Sequence, residues 1–301
     1  MPANVIQTHG LTVFYGRHRG IINVDLAIHE GEIFGFLGPN GAGKTTTMRV
    51  LLDIIRPTRG EATIFGKDCQ RDGVAIRRET GYIPGELSLY GSMTGRSFLD
   101  MLTRLRGNRT DPRYRRELCE RLQFDPSRKI QEYSSGNKRK LGLVMAFMHR
   151  PALLILDEPT LGLDPLVAQT VLQIVQEARD DGRTVFFSSH ILSEVQSVCD
   201  RVGIIREGRL VEVGEVEALT TQPFHRLRLV LREPVPEGAF DHPGVIERGR
   251  IDHEVQLEVR ENLEAVLEEA LTYGIVDLET HPITLEEVFL AYYGERGGGN
   301  D

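Results

Sequence analysis

The sequence contains no apolar run long enough to cross a membrane as a helix. Its strongest apolar stretches, 141–148 and 153–156, fall well short of the roughly 18 residues that span a bilayer. The amino terminus also lacks the basic start and the apolar segment of a secretion signal. We therefore expect a chain that does not itself enter a membrane, although it could lie against a membrane protein.

Cysteine is scarce, and the three cysteines, Cys69, Cys119 and Cys199, lie far apart. No pair has the spacing of a metal site or of a CxxC redox motif. Reduced, structural thiols in a cytosolic compartment are the expected state.

Lysine is absent from the carboxy-terminal third of the chain. From Thr221 onward there are 17 Asp and Glu residues against 7 Arg, a net charge of 7 − 17 = −10. Because binding to nucleic-acid phosphates requires clustered Lys and Arg, this charge argues against a nucleic-acid partner. A solvated acidic surface is the simplest interpretation.

Apolar periodicity predicts two units of different type. Over residues 1–220 strands alternate with helices, which indicates a parallel sheet with helices on its faces. The middle of this unit, about 85–150, is mainly helical. Residues 221–301 have the pattern of a small α+β unit.

The expected elements can be given bounds. In the first unit we predict strands over 11–15, 23–28, 33–37, 153–156 and 184–187, a hairpin of 202–205 with 209–213, and helices over 45–55, 94–106, 135–149, 165–179 and 191–200, with a further helix starting at Asp111–Pro112. In the second unit we predict strands over 227–231, 255–259 and 275–278, a helix over 263–271 ended by Gly274, and a last helix that runs from a capping box of Thr284 and Glu287 to Tyr293.

A glycine-rich loop follows the strand 33–37 and precedes the helix 45–55. It fits the phosphate-loop pattern G-x-x-x-x-G-K-[ST] in the required strand–loop–helix context. Its backbone N–H groups and the helix start favour bound phosphate. We expect it to bind ATP, with Lys44 on the β- and γ-phosphates and the Thr45 hydroxyl on Mg²⁺. The loop residues are Gly38, Pro39, Asn40, Gly41, Ala42, Gly43, Lys44 and Thr45, and Thr46 follows as a further nucleotide-binding candidate.

Two carboxylates end the apolar strand 153–156. Asp157 and Glu158 would emerge at the carboxyl edge of the sheet, where open α/β sheets bind ligands. We expect Asp157 to hold Mg²⁺, in part through water, and Glu158 to polarise the water that attacks ATP. A surface ion pair is the alternative role for Glu158.

With these motifs in this order, residues 5–220 resemble the ATP-binding cassette (ABC) ATPases. Ser134, Ser135, Gly136 and Asn137, after Tyr133, occupy the place of the family's LSGGQ signature, with Tyr for Leu, Ser for the first Gly and Asn for Gln. Without its position among the other motifs, this segment would indicate only a serine-rich turn. The resemblance implies a P-loop NTPase fold with a mixed sheet and a helical subdomain, and a signature that caps the γ-phosphate of ATP held by a second copy.

The resemblance assigns roles to three further residues. Asp164, after Leu163, is similar to the D-loop residue that crosses the dimer interface. His190, directly after a predicted strand, resembles the switch histidine that senses the γ-phosphate. Tyr15 resembles the aromatic residue that stacks on adenine, although an ordinary strand aromatic is the alternative.

The loop after Ile83 departs from the family. Gly85 follows Pro84 where the family has a glutamine that reaches Mg²⁺ and the attacking water. Gly85 has no side chain for this, so Glu86 or water would have to take its place. Similar loops occur in a branch of the family that exports drugs and polyketides, the daunorubicin- and tetronasin-resistance type, and the segment 285–294 resembles the tail of those proteins.

The resemblance therefore implies an Mg²⁺-dependent ATPase subunit of a drug or lipophile exporter. It would work as a head-to-tail dimer, docked through the groove near 85–98 to separate membrane-spanning permease subunits at the cytoplasmic face of the cell membrane. Two alternatives stay open: a nucleotide-gated association module with weak hydrolysis, and a soluble ABC protein that works on ribosomes or DNA. The single P-loop and the absence of heptads argue against the latter.

Overall fold

The chain divides into two compact units, Met1–Val216 and Glu217–Asp301, whereas the sequence pattern placed the division after residue 220. The computed structural model describes residues 3–107, 110–220, 225–236 and 238–281, and residues 285, 286 and 289. Among these residues no helix is both long and apolar enough to cross a membrane.

The first unit combines two sheets with several helices. Its strands are β1 (Asn4–Tyr15), β2 (His18–His29), β3 (Ile33–Leu37), β4 (Arg59–Ile64), β5 (Lys67–Asp68), β6 (Thr80–Ile83), β7 (Leu153–Asp157), β8 (Thr184–Ser189), β9 (Arg201–Arg206) and β10 (Arg209–Glu215). Its helices are α1 (Lys44–Leu51), α2 (Gly73–Arg78), α3 (Gly95–Leu105), α4 (Pro112–Arg121), α5 (Ser135–Phe147), α6 (Pro165–Asp180) and α7 (Leu192–Val198), and α8 (Val216–Thr220) spans the division.

The larger sheet has the order β10-β9-β3-β8-β7-β6. Its strands from β9 to β6 are parallel and β10 is antiparallel to β9, which confirms the expected strand–helix alternation and the hairpin. All residues of β3, β7 and β8 are buried. The second sheet, β2-β1-β4-β5, is antiparallel. In the core the ring of Phe186 contacts the rings of both Phe34 and Phe36.

The register of the parallel sheet brings three loops to one edge. Leu37 of β3 lies opposite Ser189 of β8, and Asp157 of β7 lies opposite Ser188. The residues that follow these strands therefore leave the sheet side by side at its carboxyl edge, where open α/β folds bind ligands.

Several element bounds differ from the predicted ones. The helix expected over 45–55 ends at Leu51, because Asp53 adopts a left-handed φ of 53°. Strand β1 begins at Asn4 rather than at residue 11, since irregular pairing around Gly10 breaks the apolar alternation. Strands β4, β5 and β6 and helix α2 were not predicted, and neither was a strand of the second unit over Val245–Ile251. By contrast β3 has the predicted bounds, and α4 begins at Pro112, with Asp111 capping it as predicted.

The described part of the second unit contains a four-stranded antiparallel sheet and a ten-residue helix. It contains β11 (His225–Leu231), β12 (Val245–Ile251), β13 (Glu254–Val259), α9 (Leu263–Thr272) and β14 (Ile275–His281), in the sheet order β12-β13-β11-β14. The alternating leucines of β11 are buried against α9. Gly274 follows α9 with a φ of 72°, as a helix-ending glycine does. The predicted capping box and last helix lie largely outside the described residues.

His149 follows α5 and lies close to the start of β6. Its side chain is largely buried, and burial, followed by the nearby charge of Arg106, lowers the pKa of His149 to about 4. The ring is therefore neutral in the folded chain at neutral pH.

We predict that this histidine makes folding sensitive to mild acid. Between about pH 6.5 and pH 4 the unfolded chain binds a proton that the folded chain does not, so the free energy of unfolding falls as the pH falls. Between pH 7 and pH 5 the wild type should lose about 2 kcal/mol more than His149→Gln. Urea denaturation followed by circular dichroism measures this difference; equal losses in both proteins would contradict it.

Candidate functional site

The glycine-rich loop connects β3 to α1 at the carboxyl edge of the sheet. Gly43 has a φ of 116°, which a residue with a Cβ rarely adopts. At Gly38 an added Cβ would lie 2.4 Å from the carbonyl oxygen of Ile205. The loop can therefore follow its path only with glycine at these positions. Asn40 is exposed, and the Ala42 carbonyl accepts a hydrogen bond of 2.9 Å from the Gly208 N–H.

Lys44 directs its ammonium group into the loop rather than towards solvent. The side chain is 5% exposed, and its Nζ donates to the carbonyl oxygens of Gly38 at 2.6 Å and Pro39 at 3.2 Å. The same nitrogen lies 3.4 Å from Oε1 of Glu158. A nearly buried cation held this way can exchange its partners for the oxygens of a bound phosphate.

Thr45 and Asp157 meet directly, as an Mg²⁺ site would require. The Thr45 hydroxyl donates to Asp157 Oδ2 at 2.7 Å, and the Ser188 hydroxyl donates to Oδ1 at 2.7 Å. Asp157 is 1% exposed, so its orientation is fixed. Mg²⁺ prefers hard oxygen ligands and is often held by one or two protein groups together with substrate phosphates and water. A hydroxyl and a carboxylate beside a phosphate loop fit this ion.

Glu158 lies between Lys44 and His190. Its backbone N–H donates to both the carbonyl and the hydroxyl oxygen of Ser188, each at 3.1 Å. Its Oε2 lies 2.9 Å from Nδ1 of His190, which can donate when that nitrogen carries the proton. Glu158 also has a left-handed φ of 49°. The site therefore concentrates a lysine, two carboxylates and a histidine around the phosphate loop.

Tyr15 lies at the end of β1, close to the start of α1. Its ring is 46% exposed, and its hydroxyl lies 3.3 Å from the hydroxyl of Thr46. An exposed ring next to the phosphate loop leaves a face on which a nucleobase could stack.

The signature segment begins α5 and makes no hydrogen bond to the phosphate loop within the described part of the chain. Ser134 caps the helix by accepting a hydrogen bond of 3.2 Å from the Asn137 N–H, and Ser135 is exposed. A Cβ at Gly136 would lie 3.0 Å from the carbonyl oxygen of Gly162. The segment therefore lies next to the turn that leads to Asp164, an exposed residue that caps α6 through the Val167 N–H.

Gly85 lies beside Asp157 rather than away from the site. An added Cβ would approach Asp157 Oδ2 to 3.2 Å, closer than an ordinary van der Waals contact. Glu86 is exposed, and within the described residues no hydrogen bond joins its side chain to the site. The space that a glutamine side chain would enter at residue 85 thus borders the carboxylate of Asp157.

Sequence reasoning missed three residues that support the site. Ser188 donates to the Asp157 carboxylate and accepts hydrogen bonds from the backbone N–H of Glu158. Glu194 accepts hydrogen bonds of 2.9 Å from Thr160 and from Ser189, the residue that precedes His190. Arg139 of α5 donates to backbone carbonyls around β7. No pattern distinguished Arg139, because its neighbours in the sequence, Lys138 and Lys140, are basic too.

Comparisons with known proteins match this arrangement. The family model described as "ABC transporter" matches residues 21–161. The bacitracin transport ATP-binding protein BcrA of Bacillus licheniformis is 39% identical over 217 residues, which cover 70% of this chain and 69% of that protein. The daunorubicin resistance ATP-binding protein DrrA3 of Streptomyces coeruleorubidus is 32% identical, and that similarity covers 98% of each chain.

A solved structure of similar fold agrees with these sequence matches. The structure of an ATP-binding subunit of an ABC transporter superposes with a TM-score of 0.65 at 30% identity, and covers 71% of this chain and 91% of that one. The matches are long enough and similar enough in sequence to identify the family of the first unit. The match to DrrA3 also extends through the second unit. The chain belongs to the ABC transporter family, as one of its ATP-binding subunits.

Proposed function

We propose that this chain hydrolyses ATP in an Mg²⁺-dependent reaction to drive export through separate membrane-spanning subunits. The observation that carries the proposal is the position of Glu158, whose carboxylate lies 3.4 Å from the Lys44 ammonium and 2.9 Å from His190. The order of the motifs does not by itself provide a base. The contact of Glu158 with Lys44, a residue of the phosphate loop, supports Glu158 as that base.

The reaction is an in-line attack of water on the γ-phosphate, in which the bond from the γ-phosphorus to the bridging oxygen breaks and ADP leaves with that oxygen. When ATP enters the loop, its phosphate oxygens replace the carbonyls of Gly38 and Pro39 as partners of Lys44. Release of the Lys44 contact leaves the Glu158 carboxylate free to accept a proton from the attacking water and to orient it. We propose that His190, whose Nδ1 lies 2.9 Å from Glu158 Oε2, contacts the γ-phosphate. Mg²⁺, held by Thr45 and Asp157, would neutralise charge that develops on the phosphates.

A second copy of the chain completes the site in this proposal. Ser134, Ser135, Gly136 and Asn137 start a helix whose N–H groups favour an anion, yet they make no hydrogen bond to their own phosphate loop. The signature segment and the turn before Asp164 lie together, as two parts of one interface would. We infer a head-to-tail dimer in which each ATP contacts the phosphate loop of one copy and the signature of the other.

The relatives support export as the direction of transport. The names of BcrA and DrrA3 refer to bacitracin transport and to daunorubicin resistance. We propose that this chain likewise serves a drug-like or lipophilic compound, at the cytoplasmic face of the membrane and bound there through permease subunits. The segment from Gly85 to Phe98, which borders Asp157 at its first residue and includes the first turn of α3, would receive those subunits.

Glu158→Gln tests the assignment of the base. The amide keeps the shape and one acceptor oxygen but cannot take a proton, so we expect turnover to fall by about 100-fold or more. Binding of a fluorescent ATP analogue should be retained, because the phosphate loop is unchanged. Turnover near that of the wild type would exclude Glu158 from this role.

Lys44→Ala tests the phosphate loop independently. Loss of a buried ammonium that contacts phosphate should weaken ATP binding by about 10- to 100-fold, the value of a charge-assisted hydrogen bond. Equilibrium titration with the same fluorescent analogue measures this. Unchanged affinity and unchanged turnover together would contradict the assignment of the loop.

Gly85→Ala and Gly85→Gln test whether the site tolerates a side chain at this position. Because Thr45 and Ser188 fix the Asp157 carboxylate, a Cβ 3.2 Å from it must displace it. We expect the Mg²⁺-dependent kcat to fall by about threefold to tenfold in both variants. Gly91→Ala is the matched control, since its Cβ would meet Gln131 at an ordinary 3.4 Å. A rise in kcat for Gly85→Gln would instead favour a weakly hydrolysing association module that lacks only the glutamine.

A further inference from the structure

Arg139 is a nearly buried cation on α5, just after the signature segment. The residue is 4% exposed, and all three of its hydrogen bonds go to backbone carbonyls. Nη1 donates to Pro84 O at 2.6 Å, and Nη2 donates to Asp157 O at 3.2 Å and to Glu158 O at 2.5 Å. One side chain therefore joins the signature helix, the end of β7 and the loop after β6.

Burial makes this arrangement costly for a cation. Burial lowers the pKa of Arg139, and the charges of Asp157 and Glu158 oppose that shift. An arginine stays protonated nonetheless, so its charge must be met by the carbonyl dipoles. A buried guanidinium with such partners fixes the backbone that it contacts.

The backbone that Arg139 fixes is strained at Glu158. A non-glycine residue with a φ of 49° is uncommon and persists where surrounding contacts determine it. Ser188 holds the peptide before Glu158 through its N–H, and Arg139 holds the peptide after it through its carbonyl. These two contacts fix the backbone of Glu158 in the conformation in which its carboxylate lies next to Lys44 and His190.

The contact with Pro84 extends this hold to the loop that lacks the glutamine. Gly85 has no side chain with which to reach Mg²⁺ or the attacking water, whereas the Pro84 carbonyl accepts a hydrogen bond from the same guanidinium that holds Glu158. We propose that Arg139 is a positioning residue for hydrolysis, which holds Glu158 in its left-handed conformation and couples it to the loop at Pro84. This inference rests on the proposed function of the chain as an ATPase.

Arg139→Gln and Arg139→Lys in the purified full-length chain test the inference. Gln cannot span the three carbonyls, so we expect kcat to fall by about 10- to 100-fold, with the dissociation constant of a fluorescent ATP analogue unchanged within about twofold. Lysine restores the positive charge but not the planar guanidinium that donates to several carbonyls at once. The kcat of Arg139→Lys should therefore lie between those of Arg139→Gln and the wild type.

Arg106→Gln is the matched control. Arg106 is a partly buried arginine whose guanidinium donates to the backbone carbonyls of Arg77, Arg78 and Thr80. It lies near the charge of Glu79, at the opposite end of β6 from Pro84. We expect the Arg106→Gln variant to have a lowered Tm, as Arg139→Gln does, but a kcat near the wild-type value. An equal loss of kcat in Arg106→Gln would mean that Arg139 acts only through stability.

A double-variant cycle separates positioning from other effects. If Arg139 acts through Glu158, Arg139→Gln should cause no further loss of single-turnover rate in a Glu158→Gln background. An independent, multiplicative loss there, or wild-type kcat in Arg139→Gln, would overturn the inference while leaving the ATPase proposal intact. A wild-type chain that does not hydrolyse ATP would instead contradict the proposed function, and this inference with it.

Discussion

The site depends on the register of three parallel strands. Because Leu37 lies opposite Ser189 and Asp157 lies opposite Ser188, the phosphate loop, the carboxylates and His190 all leave the sheet at one edge. A shift of one residue in β7 would turn Asp157 to the other face of the sheet. The buried aromatic and aliphatic side chains of these strands hold that register. The packing of the core therefore also fixes the positions of the site residues at the sheet edge.

The charged groups of the site are paired with one another and with the loop backbone. Lys44 contacts two loop carbonyls and Glu158, and Glu158 in turn contacts His190. Breaking a buried ion pair without replacing a partner is costly. We propose that an incoming γ-phosphate supplies that replacement for Lys44 and releases the Glu158 carboxylate. Nucleotide binding and activation of the proposed base would then be coupled through this one cation.

The sequence predicted much of this site, for identifiable reasons. Glycine spacing, the apolar run before Asp157 and the strand before His190 are local patterns, and each predicted a residue at the carboxyl edge. The contacts of Arg139, Ser188 and Glu194 depend on tertiary packing, which no local pattern encodes. Helix α1 ended early at the left-handed Asp53, and β1 began early across irregular pairing, because single backbone conformations overrode apolar periodicity. The proximity of Gly85 to Asp157 also followed only from the structure.

The central claim is that the phosphate loop supplies half of a site that a second copy completes. An experimental structure of the Glu158→Gln chain with ATP and Mg²⁺ tests it most directly. The account predicts two copies head to tail, with each γ-phosphate between Lys44 of one copy and the segment Ser134 to Asn137 of the other. ATP bound in the loop of a chain whose partner presents any other surface, or none, would contradict it.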